Sequence, residues 1–316
     1  MTVAIVGGSG LIGSALGQQL LDRGVSVLVC DLVPPKVAAA AFLSVDLMAN
    51  EAEEVLRGGF EQHGIDTVVH LAARLDPPTP AERERMRRLH MHGTQAAARA
   101  ALRAGASRFV LASSSVVYGA RPDNPVPLTE DAPVRPDPGF AYAVDKAGQE
   151  QVAIAELQGT SCLLAVVRPA IVYGPDAKNY LTEIIRRAPL VFPAIDGCRP
   201  PLQFVHVDDA AAVFGALAHG PGRALVGAFH ACPDDWLAFE DVAAAAHLRV
   251  VFVPSALLGP LLDVAARVLP PSLRAPSAMF PYLKYPFVLS AQKTRSQLGV
   301  RPRYSSADAL SIMLRR

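Results

Sequence analysis

A chain of 316 residues is long enough for one large domain or two, and 51% hydrophobic against 19% charged residues marks it as globular, excluding disordered and fibrous classes. Thirty basic and twenty-nine acidic residues leave a formal net charge of +1, without the positive field expected of a protein that binds nucleic acid or another polyanion. The four cysteines, Cys30, Cys162, Cys198 and Cys232, show no CxxC or Cys/His metal spacing and fit buried thiols in a reducing compartment.

The first element is a strand over TVAIV, residues 2–6. Because MTVAIVGG carries neither a basic segment nor a cleavage site, it reads as core strand rather than signal peptide, and a cytoplasmic protein is expected. VAIVGGSGLIGSAL then turns through Gly7, Gly8, Gly10 and Gly13 into a helix predicted over 10–22, with G-x-G-x-x-G at 8, 10 and 13. Such a turn needs residues without a Cβ, lets a pyrophosphate approach bare backbone and aims helix N-terminal amides at the anion. The second strand, VSVLVC over 25–30, ends beside Asp31, eighteen residues past Gly13. A carboxylate there accepts hydrogen bonds from an adenosine ribose and repels a 2′-phosphate, which favours NAD; Lys36 nearby keeps NADP as the second choice.

Helices predicted over 51–63, 80–104 and 140–157 alternate with the strand-like runs TVVHLAA (67–73), RFVLAS (108–113) and SCLLAVVRP (161–169). Runs so rich in Val, Ile and Leu suit strands buried on both faces, and the alternation predicts an α/β fold with a parallel, doubly wound sheet. After Pro169 the pattern loosens, with prolines at 175, 189, 193, 200 and 201. QFVHV (203–207), a helix from about Asp209 to His219 and VGAFHA (226–231) bring the chain back. A helix near 238–246, RVVFV (249–253) and a proline-punctuated segment to 288 read as a smaller C-terminal lobe.

The expected division is a dinucleotide-binding domain of 1–169 and 203–230, and a substrate lobe of 170–202 and 231–316. Pro254, Gly259, Pro260, Asp263 and Arg267 interrupt the longest apolar run, Val250 to Leu269, too often for a membrane-spanning helix. Within it Leu257, Leu258, Leu261, Leu262, Ala265 and Leu269 recur at helical spacing and are read as core packing ahead of a substrate lid, and Trp236 as core.

FAYAVDKAG, residues 140–148, sets Tyr142 four positions before Lys146. On a helix both project from one face, and the ammonium lowers the cost of forming the tyrosinate. The spacing alone usually marks a solvated face. His90 and His92, two apart on a helix, diverge and do not read as a metal pair. Asp208 and Asp209 read as helix N-caps, and Arg168 as a structural ion-pair partner.

Seven stretches in order, GGSGLIG (7–13), VDLMA (45–49), HLAA (70–73), ASSSVVYG (112–119), YAVDK (142–146), RPAIVYGP (168–175) and FVHVDDAA (204–211), resemble the extended short-chain dehydrogenase/reductase family, also called the NAD-dependent epimerase/dehydratase family. The resemblance covers most of the chain. It implies a Rossmann fold, with Gly7, Gly10, Leu11, Ile12 and Gly13 at the nucleotide turn, Asp46 and Leu47 on the adenine, and Leu71, Ala72 and Ala73 beside the cofactor. It also implies that Tyr142 exchanges a proton with the substrate's oxygen and that Lys146 additionally holds the nicotinamide ribose. Ser114, four residues before Tyr118, takes the role of polarising the carbonyl, ahead of Ser113 and Ser115. Pairing as a homodimer through the tyrosine helix and its neighbour is implied as well. Two positions depart from the pattern. His90 stands where the family often has Asn, which questions a backbone-supporting hydrogen bond, and Asp145 replaces a common serine and is read as surface.

Family members that act on nucleotide-linked sugars grip the diphosphate with arginines. One commonly precedes an Asp-Phe or Asp-Tyr ahead of the HVDD-like element, where this chain has Leu202 and Gln203. A second lies near an RxGD motif, where YLKYPFVLSAQK stands; no spacing nominates Arg199, Lys284 or Arg274 as a replacement. The expected substrate is therefore a small or apolar carbonyl or alcohol, and the expected enzyme an NAD(P)-linked oxidoreductase. A UDP-glucose-type 4-epimerase with tightly held NAD is the alternative. A dinucleotide-sensing protein without turnover comes third, because Ser114, Tyr142 and Lys146 are all present.

Overall fold

In the computed structural model, residues 1–37, 40–74, 79–175, 177, 191–220, 225–258 and 277–314 are described. The strands β1 (Thr2–Val6), β2 (Ser26–Asp31), β3 (Ala41–Ser44), β4 (Thr67–His70), β5 (Arg108–Ala112) and β6 (Leu163–Pro169) lie in one sheet. The next three, β7 (Ile171–Tyr173), β8 (Val191–Ile195) and β9 (Phe204–His206), leave it, and β10 (Gly227–Ala231) rejoins beside β6. The sheet order is β3-β2-β1-β4-β5-β6-β10, and every pairing is parallel. This is the doubly wound order, in which the strand sequence reverses beside β1.

The strands are apolar on both faces because helices cover both. Val3 and Ile5 of β1 point into a core with Leu16 and Leu20 of α1 (Leu11–Leu21), while Ala4 and Val6 point the other way. Their partners there are Leu56 and Phe60 of α2 (Ala52–His63), Ala97 of α3 (Pro80–Arg103) and Ala153 of α4 (Ala141–Leu157). Thr79 caps α3 by accepting from the Glu82 amide at 3.3 Å, with Pro80 at the first helical position. The alanines of α3 at 96, 97, 98, 100 and 101 are buried, so that this helix lies close on sheet and neighbour.

The helix predicted from Asp209 starts two residues earlier, as α5 (Val207–His219). Its cap is His206, whose Nδ1 accepts from the Asp208 amide at 3.2 Å. Asp209 instead accepts from the Arg303 and Tyr304 amides at 2.9 and 3.0 Å, holding the C-terminal segment. Beyond the main sheet, β7 pairs with β9, and β8 with β11 (Arg249–Val253). A third core joins Tyr173, Phe204 and the stacked Phe192–Phe239 pair to α6 (Phe239–Ala245) and α8 (Ser306–Leu314); α7 (Gln292–Leu298) adjoins β10.

Three strands escape periodicity. β3 has four residues at a sheet edge, β7 has three, and β8 contains Pro193. Trp236 is 39% exposed and is not core, nor is Leu257. Leu258 is half-buried, while Leu261, Leu262, Ala265 and Leu269 lie outside the described residues. Cys30, Cys162 and Cys232 are buried free thiols, and Cys198 is half-buried. Among the described residues no group of three metal-binding side chains occurs, and no helix is long and apolar enough to cross a membrane.

Candidate active site

The turn after β1 is built from close approaches. Gly7 has φ of 82°, and a Cβ on it would lie 2.6 Å from the Ala72 amide nitrogen. A Cβ on Gly13 would lie 2.6 Å from the Cα and carbonyl oxygen of Gly8. The first segment of α1 is thereby pressed onto the turn, and Leu71, Ala72 and Ala73 are brought alongside it. Gly10 is the N-cap of α1 with no side-chain cap bond, and the first turn holds no acidic residue. That leaves first-turn amides, the Leu11 and Ile12 region included, available to an anion.

Asp31 ends β2 and folds back on the turn. Its Oδ2 accepts from the Ser9 amide at 3.0 Å and its Oδ1 from the Leu32 amide at 2.7 Å. Asp46 accepts from the Met48 amide at 2.9 Å, and the Leu47 carbonyl accepts from His92 Nδ1 at 2.9 Å. All these positions lie at the carboxyl ends of β1 to β4, where an open parallel sheet offers its crevice. The bare cradle and the uncapped helix fit a dinucleotide.

Beyond β5 the three serines part company. Ser113 donates from its hydroxyl to Glu150, and Ser115 is buried. Ser114 is half-buried and starts a 3₁₀ turn over Ser115–Tyr118, its Oγ accepting from the Val116 amide at 3.4 Å. On α4, Tyr142 is half-buried and Lys146 is 2% exposed. Lys146 Nζ donates to the Ala112 carbonyl at 2.8 Å and lies 5.7 Å from the centroid of the Tyr142 ring. The lysine thus ties the tyrosine helix to the end of β5, two residues before Ser114.

Burial pushes the Lys146 ammonium down to about 7, against the opposing pull of Glu150 and Asp145. Its folded pKa lies below the unfolded value, so between about 7 and 10.5 the unfolded chain binds the extra proton and stability rises with pH. We expect the melting temperature of the nucleotide-free protein to carry this rise, and Lys146→Met to remove it; paired melting curves across the window check it.

Comparison with known proteins decides the family. The family model described as "NAD dependent epimerase/dehydratase family" matches residues 3–226. The chain belongs to that family. With membership comes an NAD-dependent enzyme of the extended short-chain dehydrogenase type. The protein y4nG of Sinorhizobium fredii is 30% identical over 98% of this chain and 76% of its own length. The 3-diazoavenalumate denitrifying reductase of a Streptomyces species is 32% identical over 74% of this chain and 77% of its own. Among solved structures, MoeE5 in complex with UDP-glucuronic acid and NAD has a TM-score of 0.74 at 23% identity, covering 99% of this chain and 98% of that one.

Against the family pattern, two readings change. Asp145 is not surface: it is buried, and its Oδ2 lies 2.9 Å from His90 Nδ1. The backbone-supporting bond that His90 put in question is made, because His90 Nε2 accepts from the Arg74 amide at 3.1 Å. Arg168 is the expected ion-pair partner, donating to Glu150 at 2.9 and 2.7 Å and to the Tyr118 hydroxyl at 2.7 Å. Tyr118 in turn meets His230 Nε2 at 2.7 Å, a link across 112 residues with no sequence signal.

The surroundings of Tyr142 are aromatic. Phe140 lies between Tyr142 and Tyr282, with ring centroids 6.0 and 5.9 Å away, and Tyr282 meets Phe287 at 4.8 Å. The Tyr282 hydroxyl donates to the Val116 carbonyl at 3.3 Å, joining the C-terminal segment to the Ser114 turn. Gln203 is consumed by the carbonyls of Pro233, Asp235 and Leu289 and the Leu289 amide, while Leu202 pairs backbone with Leu237. Arg199 is ion-paired to Glu240 at 2.6 Å and Lys284 to Asp196 at 2.7 Å; Arg274 lies outside the described residues.

Proposed function

We propose that this family member is an NAD-linked oxidoreductase acting on a carbonyl or hydroxyl carbon of a small or apolar substrate. The observation that carries it is Lys146, buried, anchored on the Ala112 carbonyl and set against the Tyr142 ring. NAD bound in the cradle supplies or accepts the hydride. In the reducing direction Tyr142 gives its phenolic proton to the substrate's oxygen, Lys146 stabilises the tyrosinate left behind, and Ser114 donates a hydrogen bond to the same oxygen. Gly7, Gly10, Leu11, Ile12 and Gly13 take the pyrophosphate, Asp31 the ribose, Asp46 and Leu47 the adenine, and Leu71, Ala72 and Ala73 flank the cofactor. The apolar substrate class is supported by the Phe140–Tyr282–Phe287 wall and by the pairing of Arg199 and Lys284 with carboxylates. A relative whose name is that of a reductase supports the redox part of the reading.

A nucleotide-sugar 4-epimerase is the second reading, favoured by the fold shared with MoeE5, solved with UDP-glucuronic acid and NAD. The two differ in cofactor traffic, because an epimerase must recover its own hydride and a dehydrogenase must exchange cofactor each turnover. Heat-denaturing the purified protein and assaying the released nucleotide separates them. Stoichiometric NAD that survives dialysis would sink the dehydrogenase; an empty site that binds and releases NADH supports it.

We further propose a substrate lobe of 170–202 and 231–316, a cytoplasmic location, and a homodimer formed through α3 and α4. Val144 and Ile154, exposed on α4, support the last. Asp31→Asn is expected to narrow the preference for NADH over NADPH by about 10- to 100-fold, since one charge a few ångströms from a 2′-phosphate counts for a few kcal/mol at an effective dielectric constant of about 20. The ratio of the two dissociation constants checks it.

A further inference from the structure

The two positions that depart from the family's usual residues lie in contact. His90 of α3 is fully buried, and its Nδ1 lies 2.9 Å from Asp145 Oδ2 on α4. Since the Arg74 amide donates to Nε2 at 3.1 Å, that nitrogen holds the lone pair and Nδ1 carries the proton toward Asp145. The imidazole is neutral: burial lowers its pKa, against the opposing bond to Asp145. Its ring meets Tyr142 edge-on, centroids 6.3 Å apart and planes at 69°. Asp145 precedes Lys146 in the chain and, with Glu150, favours the ammonium form of that lysine.

A tyrosine and a lysine this close titrate as a couple. When the couple loses one proton, the proton leaves either the phenol or the ammonium, and the negative charges around the lysine decide which. We propose that His90 and Asp145 are a positioning pair for the Tyr142–Lys146 couple: His90 holds the Asp145 carboxylate beside Lys146 and props the Tyr142 ring, which opposes the loss of the ammonium proton that burial favours and raises the share of the proton loss borne by the phenol. In the reducing direction the Tyr142 O–H bond breaks, the proton passes to the substrate's oxygen, and the ammonium keeps its three hydrogens. Among the described residues, the other charged or titratable groups that act on Lys146 or are acted on by it include Glu150 on α4, itself bound by Arg168 of β6, and His70 at the end of β4.

The inference rests on Tyr142 and Lys146 being the reacting pair, and its test needs no substrate. Tyrosinate absorbance in the near ultraviolet is followed against pH in the wild type and in Tyr142→Phe, both saturated with NAD; the difference isolates Tyr142. Asp145→Asn leaves an acceptor for His90 Nδ1–H and removes the charge. We expect it to move the Tyr142 midpoint up by about one pH unit. The double variant His90→Asn/Asp145→Ser leaves no buried unpaired carboxylate, and is expected to give the same rise should the single variant not fold. A merely structural pair would change the melting temperature and leave the midpoint in place, and an unchanged midpoint in either folded variant overturns the proposal. If Tyr142 in the wild type titrates as an ordinary phenol, near about 10, the reading of the couple fails and the pair's role with it.

Discussion

Tyr142→Phe is expected to lower NADH-dependent reduction of a hydrophobic ketone by about 10²- to 10⁴-fold, the range usual for loss of a positioned proton donor. The substitution removes one oxygen and keeps the ring. The edge contact with His90 and the tilted contact with Phe140 both survive. Lys146 holds the Ala112 carbonyl without help from the phenol, so the joint between α4 and β5 stays closed. NADH binding, read by fluorescence titration, should therefore change less than threefold on any scale set by a lost hydroxyl contact of about 0.5 kcal/mol. Full turnover in the variant would remove Tyr142 from the chemistry. Lost NADH affinity with turnover preserved at saturation would recast it as a cofactor ligand.

The second large effect concerns stability. Arg168 and Glu150 form a two-bond ion pair with side chains 8% and 5% exposed, between β6 and α4. Arg168→Met leaves the Glu150 carboxylate buried with the Ser113 hydroxyl as its remaining hydrogen-bond donor among the described residues. Breaking a buried pair from one side costs about 3–5 kcal/mol, and for a chain of this size we expect the melting temperature to fall by about 5–8 °C. Replacing both partners, as Glu150→Leu/Arg168→Met, removes the stranded charge and should recover most of that loss. The double variant should not recover activity. Glu150 is the leading support for the Lys146 ammonium, and without it the lysine loses its proton at lower pH. Thermal melts of the single and double variants, set beside their turnover, separate the two roles. A single variant as stable as the wild type would contradict the pairing.

Much of the sheet was legible because its signals are local. Val and Ile runs marked β1, β2, β4, β5 and β6, and helical spacing placed α2 within a residue of its ends at Ala52 and His63. β3 and β7 were missed because three or four residues carry too little alternation to stand out, and β8 because Pro193 reads as a breaker. α5 begins two residues before the start its sequence suggests, because two aspartates resemble caps while a histidine side chain takes the position. Trp236 reads as core by its type alone, and its exposure contradicts that.

Taken by itself, the order of residues determined whatever depends on near neighbours along the chain: the glycine turn, the acidic end of β2, and a tyrosine one helical turn from a lysine. Backbone sterics and the periods of strand and helix act over a few residues, so such features can be read without knowing what packs on them. The tertiary structure alone decided which of three adjacent serines stays available, that Asp145 is buried against His90, and that Arg199 and Lys284 are held by carboxylates. Each of those outcomes joins groups 37 to 88 positions apart. Their separation in space is set by how helices and strands settle on one another, and hydrogen bonds form or fail over a few tenths of an ångström, a distance that no sequence period encodes.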